Sequence, residues 1–136
     1  MQRAAKPDPK DTTSPSVVVD TAPLDAMLLF SGDAHFARQL VAQFLRGATT
    51  DVQEIENAAA TQDWRRAGFV AHRLKGAALN LGASGVGELC KRIQFAGKDG
   101  DGAMVQEAAA QLQGTLGATR TAMTSWLAQM EVPDGV

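Results

Sequence analysis

The chain has 136 residues and a mass of 14.3 kDa, which leaves room for one domain and one core and excludes two catalytic lobes. Its longest wholly apolar run, Ala26 to Phe30, is far shorter than the roughly 20 residues that cross a bilayer, and its amino terminus lacks an apolar signal core, so the reading is a cytoplasmic protein without a membrane partner. One cysteine and two histidines exclude a disulfide scaffold and make a zinc fold a poor expectation. The formal net charge of −2 conceals a pattern: residues 64–98 carry seven basic and one acidic side chain, 20–63 carry two and seven, and 99–136 carry one and five. A basic segment therefore lies between two acidic ones.

All five prolines lie at or before Pro23 or at Pro133. With 24 alanines and no tyrosine, the proline-free interior reads as helical. Residues 1–20 are polar and proline-punctuated and read as a disordered tail or linker; residues 21–131 are expected to form the bundle, and 132–136 a flexible carboxyl end. A short helix begins at Pro23, a favoured first-turn residue, and stops near Ser31-Gly32. Asp33 caps a long second helix with Phe36, Leu40, Val41, Phe44, Leu45, Ala48, Val52, Ile55 and Ala59 inward. Asp63 caps a third, with Ala67, Val70, Ala71, Leu74, Ala78 and Leu81 inward, closed by Gly82-Ala83-Ser84. A fourth carries Val86, Leu89, Cys90 and Ile93 on its apolar side, and Cys90 there reads as a small buried hydrophobe. The last runs from about Ala103 to Gln129, with Met104, Ala108, Leu112, Leu116, Thr119, Met123 and either Trp126 or Leu127 inward. The fold class is all-α: four substantial amphipathic helices on short loops make an antiparallel up-down four-helix bundle, preceded by an additional short helix.

Chemistry concentrates in the third helix. Gly68, His72 and Gly76 are successive i, i+4 neighbours, and Lys75 follows His72 at i+3. Helical phase sets them away from Ala71, Leu74 and Ala78, so His72 is expected to face solvent with bare backbone one turn before and after. Each mid-helix glycine costs roughly 1 kcal/mol relative to alanine, which suggests that a partner surface needs the clearance. His35, by contrast, reads as a first-turn residue of its helix.

The run His72-Arg73-Leu74-Lys75-Gly76, followed by Asn80-Leu81-Gly82-Ala83, resembles the signature of histidine-containing phosphotransfer (HPt) domains of phosphorelays. Leu24-Asp25 and Gly32-Asp33-Ala34-His35-Phe36 resemble the opening of such domains, and Leu89-Cys90 with Ile93-Gln94 their fourth helix, so the likeness covers about 100 residues. The resemblance implies a bundle that carries a phosphoryl group on His72 between receiver-domain aspartates, with Lys75 stabilising charge and Gly76 giving close-approach space. It places Gln94, where the family often has glutamate, to hydrogen-bond near the imidazole, and Lys98 where a second basic residue can occur. Gly68, Arg73, Leu79, Lys98, Met27 and Phe30 are the candidate docking residues. No metal site is expected in the chain, since no carboxylate cluster accompanies His72; the resemblance implies that the receiver brings Mg2+. Neutral imidazole is a competent nucleophile near pH 7, and one Lys-to-phosphate pair at ~4–6 Å is worth on the order of 1–4 kcal/mol.

Two glycine-rich strings carry no nucleotide or calcium chemistry. Gly82 to Gly87 lacks the Gly-Lys-Ser/Thr ending and preceding strand of a phosphate loop, and Asp99-Gly100-Asp101-Gly102 lacks the later ligands of a calcium loop and reads as a turn with a cap. The basic segment fits a docking field for acidic partners better than a nucleic-acid patch, because overall charge is negative and no reading helix is apparent. The expectation is a monomeric phosphorelay intermediate, with no kinase activity of its own. Its partners would be receiver domains of a hybrid sensor histidine kinase and a response regulator, and it would be either free-standing or the terminal module of a hybrid kinase. The alternative is a non-catalytic helical adaptor that binds an acidic protein through its basic face.

Overall fold

The computed structural model describes residues 18–130. Five helices follow in order: α1 (Ala22–Ser31), α2 (Ala34–Ala60), α3 (Trp64–Asn80), α4 (Ser84–Asp99) and α5 (Gly102–Met130), with no strand among the described residues. α2 to α5 form the antiparallel bundle and α1 packs across α2. Local chemistry sets the breaks. Pro23 sits in the first turn of α1, and Gly32 ends it at φ 63°, a left-handed conformation that glycine adopts without Cβ strain. The Asp33 carboxylate accepts from the His35 and Phe36 amides, and Asp63 does the same for Arg66, each satisfying an amide that the first turn leaves unpaired. Asp101 accepts from the Met104 amide, so the Asp-Gly-Asp-Gly string is indeed a capped turn.

The core is built from alanine, valine, leucine and isoleucine at helical spacing, with Leu24, Ile55, Leu74, Ile93, Leu112, Leu116 and Met123 fully buried. Two expected core residues lie elsewhere. Phe36 is 44% exposed while Ala37 is buried, and Met104 is 37% exposed while Val105 is buried. In both cases the helix starts with a phase one residue away from the reading that put the larger side chain inward. Trp126, at the core edge, donates its indole N–H to Asp25 at 2.8 Å, which fastens α1 to the last turns of α5.

The tail expected over 1–20 has a different carboxyl boundary. The Gly85 amide donates to Val18 O at 2.9 Å, and the Asp20 amide to Gly82 O at 2.8 Å, so residues 18–20 lie fastened along the α3–α4 connection. Gly82 has φ 82°, and a Cβ there would overlap Asp20 O, which is why glycine closes α3. The remainder of the expected tail, and the carboxyl end from residue 131, lie outside the described residues. No helix among the described residues is long and apolar enough to cross a membrane.

Candidate functional site

α3 and α4 approach each other through backbone rather than side chains. A Cβ on Gly97 would lie 2.6 Å from Trp64 O and 3.3 Å from Gly68 Cα, and one on Gly68 would lie 3.4 Å from Gln94 O. Gly68 therefore differs from its expected role: it is buried in the α3–α4 crossing and not open to a partner. The cause is angular. At 100° per residue, Gly68 and Lys75 fall on the flank of α3 between the core stripe and the outward face, whereas His72 and Gly76 fall on the outward face itself.

The crossing decides what His72 has beside it. His72 is exposed, Lys75 half-buried one turn later, and Gly76 exposed with nothing within 4 Å of a Cβ built on it. Because the Gln94 backbone rests on Gly68, one turn before His72, the antiparallel register carries Gln94 and Lys91 of α4 past the same stretch of α3 as His72. Gln94 Oε1 is buried and has no hydrogen-bond partner. A buried acceptor left unpaired costs about 1–3 kcal/mol, so this atom is an acceptor in want of a donor. Lys98 lies exposed one turn further along α4. Leu79, 52% exposed, lies over Gly87, where an added Cβ would meet Leu79 Cδ2 at 2.7 Å.

Three of the expected docking residues lie apart from that face. Arg73 turns toward α2, where its guanidinium meets Asp51 Oδ1 and Glu54 Oε1, each at 2.7 Å; hydrogen bonding to Asp51 and the attraction of its charge hold the Arg73 pKa above its ordinary value. Glu54 also takes Arg66 at 3.2 Å, so this part of the basic segment is spent within the bundle. Met27 is half-buried and lines a groove of about 650 Å³ between α1, α2 and α3, with Leu40, Phe44, Leu74, Ala77 and Leu81. Phe30 is 95% exposed at the carboxyl end of α1, just before α2 begins, whereas the Asp51–Arg73 pairing sets the His72 stretch of α3 beside the middle of α2, roughly 25 Å from that helix's amino terminus.

Phe69 is the residue that motif reading passed over. It precedes His72 by three residues and is 61% exposed, so it forms a bare aromatic surface one turn from the imidazole. Its i−3 spacing was the signal that could have found it. Cys90 contributes no reactivity: it is buried, and desolvation pushes its thiol up to about 12. Among the described residues, no group of three or more His, Cys, Asp and Glu side chains is placed to hold a metal ion.

A family model described as Hpt domain matches residues 39–122, more than half of the chain. The chain belongs to the Hpt domain family. The match runs from within α2 to within α5 and so takes in the whole α3–α4 pair of this Hpt domain. The sensory/regulatory protein RpfC of Xanthomonas campestris pv. campestris, in strains ATCC 33913 and 8004, is 37% identical to it over 87 residues. That alignment covers 61% of the chain but only 12% of RpfC, so the chain spans a small part of that relative's length. No solved structure gives a significant match.

Proposed function

We propose that this Hpt domain is a phosphorelay intermediate in which His72 accepts a phosphoryl group from a receiver-domain aspartate and passes it to another. The observation that carries the reading is the exposed imidazole on the outward face of α3, with Lys75 beside it and open space over Gly76. In the forward step an imidazole nitrogen attacks phosphorus in line, the N–P bond forms as the aspartyl O–P bond breaks, and the carboxylate leaves. The Lys75 ammonium offsets charge on the phosphoryl oxygens of the product. Gln94 Oε1 supports a further role: by accepting the N–H of one ring nitrogen it would hold the tautomer whose other nitrogen offers its lone pair outward. Divalent metal and the aspartate belong to the receiver in this scheme, and phosphoryl transfer is then mostly a matter of alignment and charge neutralisation.

The partners proposed are receiver domains, such as those of a hybrid sensor kinase and a response regulator, docking over His72, Phe69 and Leu79. No autokinase activity is proposed. Incubation with a phosphorylated receiver and Mg2+ tests this. Acid-labile, base-stable label on the wild type that is absent from His72→Gln is the expected result. An unlabelled wild type, or label persisting in His72→Gln, refutes it and leaves a non-catalytic adaptor.

A further inference from the structure

On the α2–α5 side of the bundle the charge pattern reverses locally. α2 has two basic residues, Arg38 and Arg46, and α5 has one, Arg120. Arg46 and Arg120, from the two helices, converge on one cleft of about 520 Å³, lined also by Ala42, Leu45, Thr49 and Thr50 and by no carboxylate. Among the described residues neither guanidinium meets an acidic group. The α2 carboxylates Asp51 and Glu54 are taken by Arg66 and Arg73, and the Arg120 side chain donates to Thr49 Oγ1 at 3.3 Å. Two like charges brought to one cleft without a counter-charge repel each other, and an anionic occupant relieves that repulsion.

The chemistry of the cleft selects the kind of anion. Helix amino termini and loops hold phosphate through free backbone amides, and these mid-helix residues, whose amides are already bonded, add no such donors. The threonine hydroxyls donate inward, Thr49 to Leu45 O at 2.8 Å and Thr50 to Arg46 O at 3.4 Å, so the donors left are the two guanidinium forks. Ala42 and Leu45 add apolar surface to the same lining, and the cleft is larger than one oxyanion. Guanidinium forks pair with carboxylate and phosphate alike; the apolar lining beside them favours carboxylates carried on a peptide, whose methylenes and apolar neighbours it can cover. We infer that the α2–α5 cleft is a docking site for an acidic peptide segment of a protein partner, gripped by Arg46 and Arg120. Lying on α2 and α5, it leaves the His72 face of α3 and α4 free, so the bundle can be held by one partner while it exchanges phosphoryl groups with another.

The test uses a short fluorescein-labelled peptide with Glu at every third position among Ala and Leu, and the same peptide with Gln for Glu. The wild type is expected to bind the acidic peptide saturably, with amide chemical-shift changes centred on residues 42–50 and 120, and to lose binding to the Gln peptide. Exposed ion pairs are individually weak, so Arg46→Gln/Arg120→Gln is expected to weaken binding about tenfold, and Arg46→Lys/Arg120→Lys, which keeps the charge but loses the forks, to fall between that variant and the wild type. Both arginines are exposed, and an unchanged circular-dichroism melt checks that the variants fold; wild-type mapping decides the matter if they do not. His72→Gln is expected to bind as wild type does, which separates this site from the phosphotransfer reading. Absence of saturable binding, shifts centred on α3 and α4, equal binding by the double Gln variant, or displacement of the peptide by inorganic phosphate or single-stranded DNA at matched charge would each overturn the inference.

Discussion

Replacing Gly76 with alanine separates what the bundle needs from what its partner needs. A Cβ at Gly76 meets nothing within 4 Å, so Gly76→Ala adds a methyl group to open space and relieves the conformational entropy that glycine costs in a helix, a gain of about 0.5–1 kcal/mol. For a domain of this size that gain raises the thermal midpoint by about 2–6 °C, measured by circular dichroism at the helix band. Phosphoryl transfer from a receiver is expected to move the other way, with the initial rate falling at least tenfold, because the methyl group stands one turn from His72 on the face a partner must approach. Gly117→Ala on exposed α5, also with nothing within 4 Å of its Cβ, is the control: a similar gain in stability with transfer unchanged. A stabilised Gly76→Ala that transfers at the wild-type rate would refute the clearance argument. A destabilised one would show that the glycine serves the fold instead.

Gly97→Ala should do the opposite to the fold. Its methyl group would sit 2.6 Å from Trp64 O, and the overpacking outweighs the gain in helix propensity to leave a net loss of about 1–2 kcal/mol by urea denaturation; no loss would mean that the α3–α4 crossing is looser than described. Asp63→Ala removes the cap of α3 and should cost about 1 kcal/mol, whereas Arg73→Ala, whose side chain is half exposed, should cost less than about 1 kcal/mol despite its two carboxylate partners. If Arg73→Ala costs more than Asp63→Ala, the pair is more desolvated than its exposure indicates. The Cys90 thiol, pushed up to about 12 when folded against an ordinary value of 9.0, stays protonated where the unfolded chain loses its proton. Its contribution is therefore full below pH 9 and is lost as pH rises toward 12, so wild type should lose stability more steeply than Cys90→Ala between pH 9 and 11; parallel slopes would contradict the burial.

Most of the fold could be read from the chain because its signals are local. Asp33, Asp63 and Asp101 cap where they stand in sequence, and an apolar stripe at helical spacing has few ways to be buried. The α3 stripe from Ala67 to Ala78 lies inward as expected. What sequence could not supply depends on which helix packs on which flank. Gly68 and Gly76 look alike in the sequence, both one turn from His72, yet one faces α4 and the other faces solvent. Arg73 looks like part of a basic docking rim until α2 presents Asp51 and Glu54 to it. The orphaned Gln94 acceptor and the pairing of Arg46 with Arg120 across a cleft arise only when helices distant in sequence are laid side by side.

The two backbone hydrogen bonds that fasten Val18 and Asp20 to the α3–α4 connection define a mechanical path. Tension or torque applied to the chain ahead of Val18 reaches Gly82 and Gly85 before it reaches α1. It is delivered to the short connection of the helix pair whose backbones approach at Gly68 and Gly97. The Asp25–Trp126 bond, by contrast, anchors α1 separately to α5.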